Sequence, residues 1–206
     1  SSLKLEKKNN NLNHFLTPKI LIRYSPGSMR KETDGIKLDP LNAFGLNRIS
    51  NLNNYETGLS TTIGFDYDVK DKNKKTNFDF SVAQIINEKE NKKMADKTGL
   101  NEKLSDLVGS MDYNINEKFS INYNFSIDQN YQDFNYNEIG TSINYGALEL
   151  DFNYLHENKH IGDQDYFKSK INIKNKDKGI ASFETKRNLI TNSSEFYNLS
   201  YEYIND

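Results

Sequence analysis

The strongest constraint in this chain is a period of two. From Tyr55 onward, Tyr55, Thr57, Leu59, Thr61, Ile63, Phe65, Tyr67 and Val69 alternate with Glu56, Gly58, Ser60, Thr62, Gly64, Asp66 and Asp68. Successive side chains of an extended backbone point to opposite faces, so the run reads as a strand with one apolar face and one small or polar face. The pattern returns in Phe119, Ile121, Tyr123, Phe125 and Ile127 against Ser120, Asn122, Asn124, Ser126 and Asp128. It recurs in Leu148, Leu150, Phe152 and Tyr154, and again in Tyr197, Leu199, Tyr201 and Tyr203. No long segment has helical spacing, so the chain is expected to be all-β.

The alternation predicts about ten strands, at residues 16–25, 55–69, 76–86, 107–115, 119–128, 134–145, 147–156, 166–175, 180–191 and 195–204. Their connections carry as much information as the strands do. Lys70–Lys75, Asn116–Lys118, Gly146 and Asp177–Gly179 are brief, whereas Pro26–Asn54, Glu88–Ser105, Gln129–Asp133 and Glu157–Asp165 are longer. Asn192–Ser194 alone is short where the pattern asks for length. Tight turns at one end, extended loops at the other and strands of about ten residues are the marks of an outer-membrane barrel. The expected fold is an antiparallel meander forming part of a large transmembrane β-barrel, a single partial domain over residues 1–206. As part of a larger strand set it is expected to be an open curved sheet. The start at Ser1-Ser2 without a signal segment, and the lack of a closing aromatic strand, lead us to expect both ends to be truncated.

Composition narrows the choice. A net charge of −2 and a pI near 6.0 give no pull toward nucleic acid. No stretch approaches the ~20 apolar residues of a membrane-spanning helix, but barrel strands are only half apolar and escape that test. Without cysteine there is no disulfide or thiolate chemistry. Thirteen Tyr and 12 Phe against 3 Pro favour strands. Tyr24, Tyr55, Tyr67, Tyr113, Tyr145, Tyr154 and Tyr203 fall at strand ends, as an interfacial girdle would place them. A soluble antiparallel sandwich also alternates, but it usually wets its outer face with Lys, Glu and Thr. Here that face is rich in Asn, Ser, Gly and Asp.

His156-Glu157-Asn158-Lys159-His160 matches the H-E-x-x-H zinc signature. The motif needs a helix to bring both imidazoles to one face. It follows an alternating run here, and residues four apart on a strand lie about 13 Å from each other, so it reads as a solvated strand end. The lysine-rich segments Lys70–Lys75 and Glu88–Lys97 mix acids with their lysines and read as solvated loops. Sequons at Asn124, Asn192 and Asn198 sit in or beside strands and read as coincidental. No catalytic, metal or cofactor site is predicted. The candidate binding residues are those expected to face a barrel lumen: Arg23, Asp66, Asp79, Asn122, Asn124, Glu149, Asp151 and Lys170. Lys19 and Lys168 fall on the same polar side, where they avoid the cost of lipid exposure.

Three blocks resemble a known family. Leu16-Thr17-Pro18-Lys19-Ile20-Leu21-Ile22-Arg23-Tyr24-Ser25-Pro26-Gly27-Ser28-Met29-Arg30 is similar to the C-terminal barrel of the LPS-assembly protein LptD. So is Leu38-Asp39-Pro40-Leu41-Asn42-Ala43-Phe44-Gly45-Leu46-Asn47-Arg48-Ile49, followed by Gly58-Leu59-Ser60. Lys186–Asn192 and Glu195–Tyr203 resemble that barrel's penultimate strands. The resemblance implies a non-catalytic role in delivering lipopolysaccharide to the outer leaflet of the cell outer membrane. It further implies a plug lipoprotein of the LptE type, a periplasmic Lpt bridge and outer-membrane lipid as partners, with no nucleic acid and no cofactor. A general porin or receptor-type barrel, and a soluble β-sandwich binding domain, stay open as alternatives.

Overall fold

The computed structural model describes every residue except 1–2, 10, 34–35, 50, 52, 74, 96–98, 159–161, 176–178 and 204–206. Among the described residues, eleven strands form one sheet: β1 (Leu5–Lys8), β2 (Leu12–Ser25), β3 (Gly58–Asp71), β4 (Thr76–Asn87), β5 (Leu107–Asn114), β6 (Phe119–Ile127), β7 (Phe134–Tyr145), β8 (Leu148–Glu157), β9 (Gln164–Asn175), β10 (Gly179–Asn188) and β11 (Ser193–Glu202). Each strand pairs antiparallel with its sequence neighbours, in the order β1 to β11. The sheet is open, β1 and β11 being its edges. The soluble sandwich is set aside, because a sandwich needs a second sheet to cover the first.

The strand expectations hold with shifts at the ends. β1 was not foreseen, because Leu5-Glu6-Lys7-Lys8 offers one apolar residue and no alternation. It forms because its backbone can pair with residues 13–16 of β2. β2 accordingly begins at Leu12 rather than at residue 16. β3 starts at Gly58, three residues after the alternation does, because Tyr55 and Glu56 belong to the preceding loop. β10 ends at Asn188 and the turn occupies residues 189–192, where the Asn188 carboxamide oxygen accepts the Ile190 and Thr191 amides at 3.0 and 3.1 Å.

The connections separate by end as expected. Short connections join β1–β2, β3–β4, β5–β6, β7–β8 and β9–β10, and the longer segments join β2–β3, β4–β5, β6–β7 and β8–β9 at the other end; the β10–β11 link, residues 189–192, lies at that end but is short. The turns are closed by their own sequence. In β5–β6 the Asn116 side chain accepts the Lys118 amide at 2.8 Å. In β7–β8 the two-residue link Gly146-Ala147 needs the positive φ of +62° that glycine adopts without strain.

The two longest connections, residues 26–57 and 88–106, fold onto one face of the sheet. A 3₁₀ turn at Asn42–Phe44 is started by the Asp39 carboxylate, which accepts the Leu41 and Asn42 amides at 2.9 and 2.7 Å. It sets Ala43 against β3, where the Thr62 hydroxyl donates to the Ala43 carbonyl at 3.1 Å. Phe44 lies over Gly64, which has no side chain to obstruct it. Met29, Leu38, Ala43, Met94 and Leu100 from the loops close on Ala83, Ile85 and Val108 from β4 and β5. Fully burying a side chain such as Ile85 stabilises by about 1.5–3 kcal/mol, so this cluster fastens both loops to the wall.

Candidate functional site

Register decides which side chains share a face. Reading across the ladders, Arg23 lies opposite Ser60, and Ser60 opposite Asn87. Asp66 runs through Ser81, Ser110 and Asn124 to Glu138. Asp79 runs through Asp112, Asn122, Gly140 and Asn153 to Lys168. Glu149 and Asp151 of β8 face Asn172 and Lys170 of β9. All eight candidate residues therefore occupy one face, the face onto which the long loops fold. The opposite face carries Leu16, Ile20, Ile22 and Tyr24 on β2, Ile63, Phe65 and Tyr67 on β3, Ile121, Tyr123 and Phe125 on β6, and Tyr197, Leu199 and Tyr201 on β11. Many of these are strongly exposed, with Ile22 at 68% and Leu199 at 80%.

At the turn end of that apolar face the aromatics form a continuous run. The Tyr67, Phe78 and Tyr113 rings meet edge to face at 6.0 and 5.8 Å, and Tyr67 bonds His14 Nδ1 at 2.8 Å. Such rings put an apolar body and a polar tip at one level. Tyr67 and Tyr113 thus belong to the strand-end set expected from the sequence, whereas Tyr55 sits in a loop.

On the polar face, charges meet partners. Lys19 pairs with Asp66, which also accepts the Ser81 hydroxyl at 2.9 Å. Asp151 accepts Ser142 at 2.6 Å, and Glu149 pairs with Lys174. Lys168 pairs with Glu184 at 2.5 Å and Lys186 with Glu195 at 2.7 Å. Glu138 accepts the Tyr136 hydroxyl at 2.5 Å and Asn153 Nδ2 at 3.0 Å. Asn124 adds a longer contact to the same carboxylate at 3.4 Å. Between these groups runs a groove of about 420 Å³ over β6–β10, bordered by Asn122, Asp151, Lys168, Lys170 and Glu184. Gly140 forms its floor, and Asn122 lies across it where a Cβ would stand. The groove joins Asn122, Asp151 and Lys170 from the expected set. It adds Glu138, Asn153, Tyr166, Lys168 and Glu184, each an even-numbered or odd-numbered neighbour in the same alternation.

Arg23 is elsewhere, beneath the 26–57 loop. Its Nη1 donates to the Glu56 carbonyl at 2.7 Å and its Nη2 to the Glu56 carboxylate at 2.6 Å. Arg48 reaches the same carboxylate through Nε at 2.8 Å and through Nη2. Both guanidinium groups also touch the Ser60 hydroxyl, at 3.3 and 3.1 Å. All three charged residues are buried. Farther along the loop, the Lys37 ammonium stands 3.6 Å over the Tyr136 ring of β7. Burial pushes the Lys37 ammonium below its ordinary value, while Glu138, Asp39 and Glu157 pull it back up. This loop thus spans the polar face from β2 to β7. The sequence marked residues 26–54 only as a longer connection and put Glu56 on a strand, and Arg48 and Glu56 had no spacing that would have revealed the triad.

Asp79 lies in a row with Asp68 and Asp112 across β3–β5. His156 and Glu157 close β8 and point to opposite faces, His156 toward Asp165 at 3.8 Å and Glu157 into the protein at 1% exposure. His160 lies outside the described residues. A strand splits this H-E pair across the sheet, which is incompatible with the helical zinc motif.

Comparison with known proteins gives one assignment: the family model for LptD, LPS transport system D, matches residues 1–206. No curated protein matches the chain.

Proposed function

Because the chain belongs to the LptD family of lipopolysaccharide transport, we propose that its sheet is a stretch of outer-membrane barrel wall. The polar face borders an aqueous path for the sugar-rich headgroup of lipopolysaccharide, and the apolar face meets acyl chains. The observation that carries this reading is the division of one sheet into two unlike faces. All eight candidate residues stand on one side, and exposed Ile, Leu, Phe and Tyr stand on the other. Left in water, an apolar surface of that extent would be unstable to association. Against hydrocarbon it is satisfied, and the antiparallel ladder supplies the backbone hydrogen bonds that lipid cannot.

The same reading supplies the partners. The loops cover the polar face toward β2–β5 and leave the groove over β6–β10 open. That groove has the acceptors and donors a hydroxyl-rich headgroup or a lumen-filling lipoprotein of the LptE type would use. The role is one of guidance, as expected of a transport and assembly family, and no catalytic residue is assigned.

Site-specific photo-crosslinking in cells tests the facing. A photoreactive residue in place of Asn153 or Lys170 should capture lipopolysaccharide through its sugars. One in place of Phe152 or Ile171, on the reverse face, should capture membrane lipid through acyl chains. If assembled protein gives no sugar adduct at either polar position, the path does not run along this wall.

A further inference from the structure

Where the two long loops meet, above the ends of β2–β4, they enclose a cleft of about 950 Å³. Its base is partly apolar. Met29 and Leu100 are buried there, and the Asn91 carboxamide reaches Met29 Sδ at 3.2 Å and the Thr57 carbonyl at 3.5 Å. The Glu32 amide on the Lys93 carbonyl at 2.8 Å joins the two loops, and the Glu88 amide on the Leu59 carbonyl at 3.0 Å ties the second loop to β3. Around this base stand Lys89, Lys92, Lys93 and Lys103, all exposed. None of the four has a carboxylate within 4.0 Å among the described residues, in contrast to Lys19, Lys168, Lys174 and Lys186 on the polar face. Glu88 and Glu90 are the acids facing them, since the third carboxylate of the cleft, Glu56, is taken up by Arg23 and Arg48. The cleft therefore has a surplus of positive charge. Its outer lip is formed by Tyr24 and Leu59, which belong to the apolar face of β2 and β3.

We propose that this cleft binds the phosphate-bearing headgroup of a glycolipid in the leaflet at the loop end of the barrel, with that lipid's acyl chains lying along Tyr24, Ile22 and Leu59. Each half of the ligand has its counterpart: unpaired ammonium groups for phosphate, and apolar side chains at the membrane level immediately below. A soluble phosphate would use the first half and leave the second idle, so the occupant is a lipid. Lys89, Lys92 and Lys93 come from one lysine-rich loop, which alternates with acids along the sequence. Folding adds Lys103 and diverts Glu56, and that converts a balanced charge run into a cationic pocket. The inference rests on the sheet spanning the membrane, with long loops on the outer side as in outer-membrane barrels.

The test uses the full chain reconstituted into phosphatidylcholine vesicles with one tenth of a bis-phosphorylated diglucosamine lipid, or of the same lipid without its phosphates. The fraction inserted and the lipid retained after purification are measured together. The phosphorylated lipid should be retained at least about tenfold more than its dephosphorylated form, juxtamembrane lysines being worth about a factor of several each toward anionic lipid. The K89Q/K92Q/K93Q/K103Q variant should lose that preference and still insert. Removing Lys70, Lys72 and Lys75 at the turn end should leave it intact. Equal retention of both lipids by inserted wild-type protein, or an unchanged preference in the quadruple variant, overturns the cleft. Displacement of the lipid by inorganic phosphate at the lipid's own concentration would overturn the choice of a lipid occupant. Failure of the wild-type chain to insert would refute the barrel reading instead.

Discussion

Replacing Glu56 with Gln tests whether the 26–57 loop is held as the structure has it. The carboxylate lies between two guanidinium groups, Arg23 from the wall and Arg48 from the loop, at 2.6 and 2.8 Å for the contacts Arg23 Nη2 and Arg48 Nε. With Arg23 at 7% exposure, Arg48 at 2% and Glu56 at 4%, water cannot substitute for the lost charge. Gln keeps the shape but leaves two like charges buried without a counterion, and breaking a buried pair in this way costs about 3–5 kcal/mol. The sheet ladders do not depend on the triad, so the cost falls on the loop, which opens locally while the strands persist. At about 1.4 kcal/mol per factor of ten, the open population should rise by roughly two to four orders of magnitude. Hydrogen exchange on the full chain in bilayers reads this directly. Peptides over residues 26–57 and 88–106 should lose protection, and peptides over β8–β10 should not. Adding Arg48→Met should restore part of it, because the unpaired charge brought by the loop is then gone. Unchanged loop protection in Glu56→Gln, or a loss spread evenly over the sheet, would refute the latch.

Two further substitutions probe facing and turn order. Phe125→Lys should cost about 2–4 kcal/mol in vesicle unfolding titrations, the range for a lysine turned to lipid near the bilayer middle. It also removes the ring that covers Gly109. Asn124→Lys, beside Glu138 on the polar face, should be tolerated, and equal tolerance of both would reverse the assigned faces. Asp128 accepts the Gln132 and Asp133 amides at 2.8 and 3.2 Å, and these bonds hold its carboxyl below the ordinary 3.8. A depressed carboxylate stabilises the turn above its unfolded value and loses that contribution as pH falls through the folded one. Exchange at Gln132 and Asp133 should therefore accelerate below about pH 4. Asp128→Asn should remove the acid step, and its persistence would assign the step to another group.

Much of the wall was legible because a strand allows one reading of alternate residues. Once Ile121, Tyr123 and Phe125 were given one face, Asn122 and Asn124 had to take the other, and register then carried the assignment from strand to strand. The pattern misleads at the loop end of β4. There Ala83 and Ile85 stand on the polar face, and Gln84 stands on the apolar one. Both inversions have a cause outside the strand. The loops cover Ala83 and Ile85, while Gln84 bonds the Ser105 carbonyl at 3.0 Å and Tyr131 at 2.8 Å. Contacts between residues far apart in sequence, such as Arg23 with Glu56 or Lys37 with Tyr136, leave no periodic trace. The groove was half legible for the same reason. Its residues follow the alternation, but their convergence on Gly140 depends on five strands in register.

The way charge is spent differs between the two ends of the molecule, and the difference bears on what each can do. Along the groove, Lys168 meets Glu184, and Lys170 stands in register between Asp151 and Glu184. A surface of paired charges offers hydrogen bonds to a sugar without a net field to trap a phosphate. That is what passage requires, since a conducting wall must bind well enough to admit its cargo and weakly enough to release it. At the loop end Lys89, Lys92, Lys93 and Lys103 have no carboxylate within 4.0 Å among the described residues, and the binding proposed for that cleft would make retention the outcome there. If the groove lysines were freed by Glu184→Gln, the wall should acquire affinity for phosphate and hold the cargo longer, so crosslinks from Lys170 would rise while delivery slowed. A wall that works by charge pairing must respond in that sense; slower delivery with fewer crosslinks at Lys170 would mean that Glu184 attracts the cargo itself.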